Sequence, residues 1–152
     1  MNIDHILKQK GQSFHTVRPD QPVAEAVSAM MEHRIGALLV CEDDDLRGIV
    51  TERDILRTVD ARPDGLAGLE VREVMNSELV TCSPADGLDD AMDRMMNNPT
   101  GRRVRHLPVL EDGALAGIIS IGDVVQALLT EVRFENRLLK NYIKNWPDEA
   151  VE

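Results

Sequence analysis

Apolar and polar positions along this chain form a pattern that occurs twice. Val23, Ala26, Val27, Met30 and Met31 recur at the spacing of a helix stripe, as do Leu88, Ala91, Met92, Met95 and Met96. Ahead of each stripe lies a short extended piece, around Thr16 or Thr81, then a turn holding Pro19 or Pro84. Behind each come two apolar runs split by an acidic turn, ALLV-CEDDD-LRGIV and HLPVL-EDG-ALAGII, which predict hairpins. Second helices are predicted from Glu52 and from Gly122. Each copy therefore reads β-α-β-β-α. One copy alone would leave its sheet and helices half covered, so the two are expected to pack together.

Identities support the duplication. At a displacement of 65 residues, Thr16, Pro19, Ala26, Met30 and Met31 meet Thr81, Pro84, Ala91, Met95 and Met96. At a displacement of 69, residues 35–59 lie over 104–128 with eight of 25 positions identical. The second copy thus carries four additional residues within 97–103. The division read from this is a first repeat over 1–60 with a short amino-terminal helix, a linker over 61–74, a second repeat over 75–130 and a carboxy-terminal extension over 131–152. Pro63, Gly65 and Gly68 open the linker, and EVREVM at its end predicts a short helix echoing HILKQKG before the first copy. From Asp123 to Trp146 apolar residues continue at helical spacing, through Leu138, Leu139, Tyr142, Ile143 and Trp146, until Pro147. That length exceeds what one small module needs, and a partner chain is the expected cover.

Composition narrows the function. The 152 residues carry 27 Asp plus Glu against 17 Lys plus Arg, a net charge of −10, which speaks against nucleic acid or an anionic membrane as the main partner. Aromatic residues make up 3%, so the core must be aliphatic. Cys41 and Cys82 form no disulfide framework and are expected to be inert strand residues. His5, His15, His33 and His106 lack metal-ligand spacing, and no metal is expected. Asp43-Asp44-Asp45 reads as a polar hairpin turn. The four paired methionines read as core. No apolar run approaches membrane-spanning length and no leader pattern is visible, which makes the cytoplasm the expected compartment. No nucleophile–base pair can be assembled, which speaks against an enzyme.

The chemistry concentrates in Gly48-Ile-Val-Thr51-Glu-Arg-Asp54 and Gly117-Ile-Ile-Ser120-Ile-Gly-Asp123. Thr51 and Ser120 fall where a strand passes into a helix, a place where backbone N–H groups and a hydroxyl can face a phosphate. Asp54 and Asp123 follow three residues on, where a carboxylate can accept both hydroxyls of a ribose. A Thr/Ser-x-x-Asp at a helix start is equally the signature of a helix cap, and the two roles are compatible.

With HRIGALLV before the first hairpin and RHLPVL before the second, the doubled motif resembles a tandem pair of cystathionine-β-synthase (CBS) domains, a Bateman module. The likeness covers roughly residues 5–130, and with its tail the chain is similar to small stand-alone bacterial CBS-pair proteins. The resemblance implies an α/β (α+β) fold of two repeats with pseudo-two-fold symmetry, followed by a long carboxy-terminal helix. It implies AMP, ADP or ATP as bound ligand, a homodimer, and a separate regulated protein. It also implies two shared sites. One would combine Ser120, Gly122 and Asp123 with Lys10, Ser13, Phe14, His15, Ile35, Gly36 and Ala37, with Arg105 and His106 close to phosphate. The other would combine Thr51, Arg53 and Asp54 with Met75, Leu79, Val80 and Val104. Arg102, Arg103, Arg105 and His106 stand together in the second copy, where the first has Gly36 and Ala37 opposite the last two, so the Asp123 site is expected to bind anions better. A solvated surface is the other reading of the arginines. NAD(H) and S-adenosylmethionine are alternative ligands within the family, and a ligand-independent dimerisation scaffold is the alternative function.

Overall fold

A computed structural model of the chain describes residues 1–11 and 14–145. Helix α1 (Ile3–Lys10) comes first. The first repeat follows as β1 (Thr16–Val17), α2 (Val23–His33), β2 (Ala37–Glu42), β3 (Asp45–Thr51) and α3 (Glu52–Ala61). A 3-10 turn at Val71–Glu73 precedes the second repeat: α4 (Leu88–Met96), β4 (His106–Glu111), β5 (Ala114–Ser120) and α5 (Ile121–Lys144).

The repeats are built alike. β1 pairs parallel with β2, and β2 antiparallel with β3. In the second repeat β4 pairs antiparallel with β5, and the expected first strand is reduced to one parallel bridge, Cys82 to Val109. That bridge is the counterpart of Val17 to Val40. Both hairpins shift register at equivalent places, Val40/Cys41 and Val109/Leu110. The hairpin turns take left-handed backbone at Asp43 (φ 55°) and Asp112 (φ 51°), a conformation Asp tolerates better than most residues. The turn is thus Asp43 and Asp44, while Asp45 opens β3 and pairs with Glu42.

Helix stripes bury as the spacing requires, with one correction. Val23, Ala26 and Met30 are buried, as are Leu88, Ala91 and Met95, but Met31 is 76% exposed and Met96 43%. Consecutive helical residues lie about 100° apart, so only one of each methionine pair can face the sheet.

The amino-terminal helix does not pack on the repeat it precedes. Ile3, Ile6 and Leu7 join the core of the second repeat with Leu88, Ala91, Met95, Leu107 and Ile119. Ile3 N donates to Asp86 O (3.0 Å) and Asp4 N to Pro84 O (2.9 Å). The turn at 71–73 treats the first repeat in the same way: Val71 N donates to Gln21 O (2.8 Å) and Arg72 N to Pro19 O (2.9 Å). Val71 is buried with Val17, Ala26, Met30, Leu38 and Val50. Burying a large aliphatic side chain contributes about 1.5–3 kcal/mol, so Ile3, Ile6 and Leu7 make α1 an integral part of the second core.

A third cluster joins the halves. Ala37, Leu39 and Ile49 meet Phe14, Leu46, Leu79, Leu115 and Ile118. It contains Phe14 with its counterpart Leu79, Leu46 with Leu115, and Ile49 with Ile118. This matched apolar seam follows the pseudo-two-fold relation between the repeats.

Candidate functional site

Both motif residues of each repeat cap a helix. Asp54 N donates to Thr51 Oγ1 (3.3 Å), while Thr51 N and Thr51 Oγ1 each donate to Asp54 Oδ2 at 2.9 Å. At α5, Asp123 N donates to Ser120 Oγ (3.1 Å) and Ser120 N to Asp123 Oδ2 (2.8 Å). The first helical amide is also engaged in each: Glu52 N donates to Gly36 O (3.0 Å) and Ile121 N to Arg105 O (2.8 Å). The helix starts were expected to offer N–H groups to a phosphate; two of these amides at each start are held by the protein itself. Positive charge near Asp123 therefore comes from side chains.

Lys10 supplies one. Its Nζ donates to Asp123 Oδ2 (2.8 Å) and to Ile118 O (3.1 Å). Burial, the largest influence, acts to raise the Asp123 pKa, but the hydrogen bonds from Lys10 and Ser120 outweigh it and hold the carboxyl below its ordinary value. His106 is partly buried beside this pair. Burial lowers its pKa, against the opposing pull of Asp123 and, more weakly, Glu52, so the ring is held neutral at neutral pH. Gly36 lies against the same ring: a Cβ there would stand 3.7 Å from His106 Cε1 and 3.2 Å from Glu52 Oε1. Lys10, Gly36, His106, Ser120 and Asp123 thus lie close together, with Arg105 close enough to act on His106. Phe14 and Ala37 lie beneath them in the seam. Ile35 packs into the first core, Gly122 is exposed on the first turn of α5, and Ser13 lies outside the described residues.

His15 stacks on His33, with ring centroids 3.6 Å apart and planes at 12°. Displaced by 65, these residues correspond to Val80 and Asn98. There the second repeat has an open cavity of about 430 Å³ instead, lined by Glu78, Leu79, Val80, Thr81, Arg94 and Asn97–Thr100. The four additional residues of the second copy belong to this loop region.

The Asp54 group is more dispersed. Leu79 and Val80 line the cavity, while Thr51, Arg53 and Asp54 lie outside its lining. Val80 and Val104 pack on the second core and Met75 on the first. Arg57 Nη1 stands 3.5 Å from Asp54 Oδ1. Arg53, Arg102, Arg103 and Arg105 are exposed. Sequence reasoning missed Glu52, His33 and Arg57. Glu52 had one available signal, a charge at the first helical position where the other repeat has Ile121.

Among the described residues no group of three or more His, Cys, Asp and Glu is arranged to hold a metal ion. Burial pushes the Cys82 thiol up to about 12, which leaves it unreactive. No helix among the described residues is long and apolar enough to cross a membrane.

The comparisons with known proteins agree with this architecture. The family model described as CBS domain matches residues 11–61 and 71–130. The CBS domain-containing protein YhcV of Bacillus subtilis (strain 168) is 40% identical over 110 residues, covering 72% of this chain and 74% of its own. The crystal structure of the CBS-domain containing protein ATU1752 from Agrobacterium tumefaciens superimposes with a TM-score of 0.76 at 40% identity, over 84% of this chain and 98% of that one. CBSX2, crystallised in complex with AMP, gives a TM-score of 0.66 at 26% identity, over 79% and 91% of the two chains.

Proposed function

Because this chain belongs to the CBS-domain family, we propose that it is a regulatory module that binds an adenine nucleotide, AMP foremost, between its two repeats. The observation that carries this reading is the setting of Asp123: a carboxylate kept ionised at a helix start, with Lys10, Arg105 and His106 around it. The carboxylate suits ribose hydroxyls and the basic groups suit a phosphate. The AMP complex of CBSX2 supports the same ligand. The cavity beside Leu79 and Val80 offers an apolar wall with amide and hydroxyl groups for a second ligand at the Asp54 side.

The module is proposed to bind nucleotide without consuming it, in the cytoplasm, and to pass its ligand state to a separate protein. It acts as a homodimer. Exposed apolar residues recur at matched places in the two repeats, Met31 with Met96 and Leu56 with Val125, and continue along α5 through Leu129, Val132, Leu139 and Ile143. A surface that repeats itself under the pseudo-two-fold is matched by a second copy of itself.

The test is a thermal melt with AMP, ADP and GMP. Saturation at 100 times Kd adds about 2.7 kcal/mol of stability, so millimolar AMP or ADP should raise Tm by several degrees and GMP by less. A melt unmoved by adenine nucleotides sinks the reading.

A further inference from the structure

Glu52 is absent from the site that the sequence defines, yet it stands inside it. It is the first residue of α3, and its side chain folds back over residue 36, with Oε1 3.2 Å from the place where a Cβ would sit. The His106 ring reaches the same spot from the other repeat, at 3.7 Å. Both side chains approach the space that residue 36, as glycine, leaves open. A larger residue would fill it. Glu52 is also within electrostatic reach of His106, acting to raise its pKa against the dominant effect of burial.

The charges around this point are unequal in kind. Asp123 is already matched by Lys10 at 2.8 Å. Glu52 adds a second carboxylate within electrostatic reach of His106. The pseudo-symmetric position holds Ile121, whose amide makes the same bond to Arg105 O that Glu52 makes to Gly36 O. The helix start needs no carboxylate there, since α5 forms without one.

We propose that Glu52 is a specificity-determining residue of the Asp123 site, which favours a nucleoside monophosphate over the di- and triphosphate. This rests on the nucleotide reading above. A single phosphate would draw on Lys10 and Arg105 for positive charge and on the neutral His106 ring for a hydrogen bond. Glu52 is exposed, so its repulsion of every further phosphate acts through water and is open to screening by salt. The preference is therefore made by repelling the longer ligands as much as by attracting the shorter one.

The experiment is calorimetry of the wild type, Glu52→Gln and Glu52→Ile with AMP, ADP and ATP, in EDTA so that magnesium does not mask phosphate charge. Glu52→Ile copies the residue that already begins α5. The wild type should prefer AMP. Both variants should gain ATP affinity about three- to tenfold more than they gain AMP affinity. The wild-type preference alone should also narrow as salt is raised, which requires no variant to fold. An AMP-to-ATP ratio that neither substitution nor salt changes, or a wild type that prefers ATP, overturns the role of Glu52 and leaves nucleotide binding standing. A wild type that binds none of the three overturns both.

Discussion

Lys10 Nζ lies 2.8 Å from Asp123 Oδ2, which ties the last residue of the first helix to the first turn of the last one. The matching carboxylate, Asp54, has its cation from its own helix, Arg57, at 3.5 Å. The two halves repeat each other in backbone and differ in charge at the point where a ligand would sit.

Asp123→Ala should therefore cost more adenine-nucleotide affinity than Asp54→Ala. Losing hydrogen bonds to a charged group costs on the order of 1.5–3 kcal/mol, about 10- to 150-fold in Kd. Calorimetry decides the order. The open cavity is lined by Leu79 and Val80, two residues that the resemblance assigns to the Asp54 site. If base burial outweighs phosphate contacts, the order will reverse.

The Asp123 carboxyl also makes stability depend on pH. Its folded pKa is below the unfolded value, so its contribution is present above the ordinary aspartate range, near about 3.9, and is lost as pH falls through the folded pKa. His106 works in the same direction. Its folded pKa is depressed chiefly by burial, so its neutral form favours the fold above about 6.5 and that advantage goes as pH falls through the folded value. Tm of the wild type should fall from pH 7 to 5 more than that of His106→Gln. The gap between wild type and Asp123→Asn should persist at pH 5 and close only below pH 4. Equal pH profiles for all three proteins would show that neither group is linked to folding.

The motif glycines look identical in the sequence and are not identical in the fold. A Cβ at Gly48 would stand 2.8 Å from Met75 Sδ and 2.9 Å from the carbonyl of Asn76, which pairs with Ile49 in a bridge. A Cβ at Gly117 would meet only the end of Leu7, at 2.8 Å. A side-chain end can turn aside and a paired backbone carbonyl cannot. Gly48→Ala should destabilise by about 1–3 kcal/mol and Gly117→Ala by less, read from urea midpoints. Equal losses would mean that Leu7 is as fixed as the bridge.

Along α5, Leu139 is 61% exposed and Ile143 70%. Trp146, placed on the same stripe by its spacing, lies outside the described residues. Leu139→Ser with Ile143→Ser, or removal of residues 134–152, should weaken the dimer, since each large apolar side chain buried at an interface contributes about 1.5–3 kcal/mol. Light scattering at low micromolar concentration should then show monomer. An undiminished dimer would place the contact on Met31, Leu56, Met96 and Val125 instead.

What was legible in the sequence was local. The Thr51–Asp54 and Ser120–Asp123 boxes span four residues, the hairpins are set by adjacent runs, and both were readable from spacing alone. Partnership across the chain was not. Ile3, Ile6 and Leu7 announce a buried face without saying which core buries it. Met31 and Met96 share the apolar character of their neighbours, and only the position of the sheet shows that they point away. Glu52 reads as an ordinary charge on a first helical turn. Its meaning depends on Gly36 leaving open the space that Glu52 and His106 approach from different repeats.

The crossed seating of α1 sets an order of events during synthesis. The first repeat receives its covering turn, residues 71–75, soon after its own hairpin has been made. The second cannot be closed until Leu107 and Ile119 have followed Leu88 and Met95. Helix α1, made before any of them, must wait through the assembly of the first repeat with Ile3, Ile6 and Leu7 facing water. Pairings of such long sequence separation form slowly, because loop-closure entropy is spent before the contact forms. The nascent chain thus carries the uncovered apolar face of α1 until the second repeat is made, and the two similar halves complete themselves at different times.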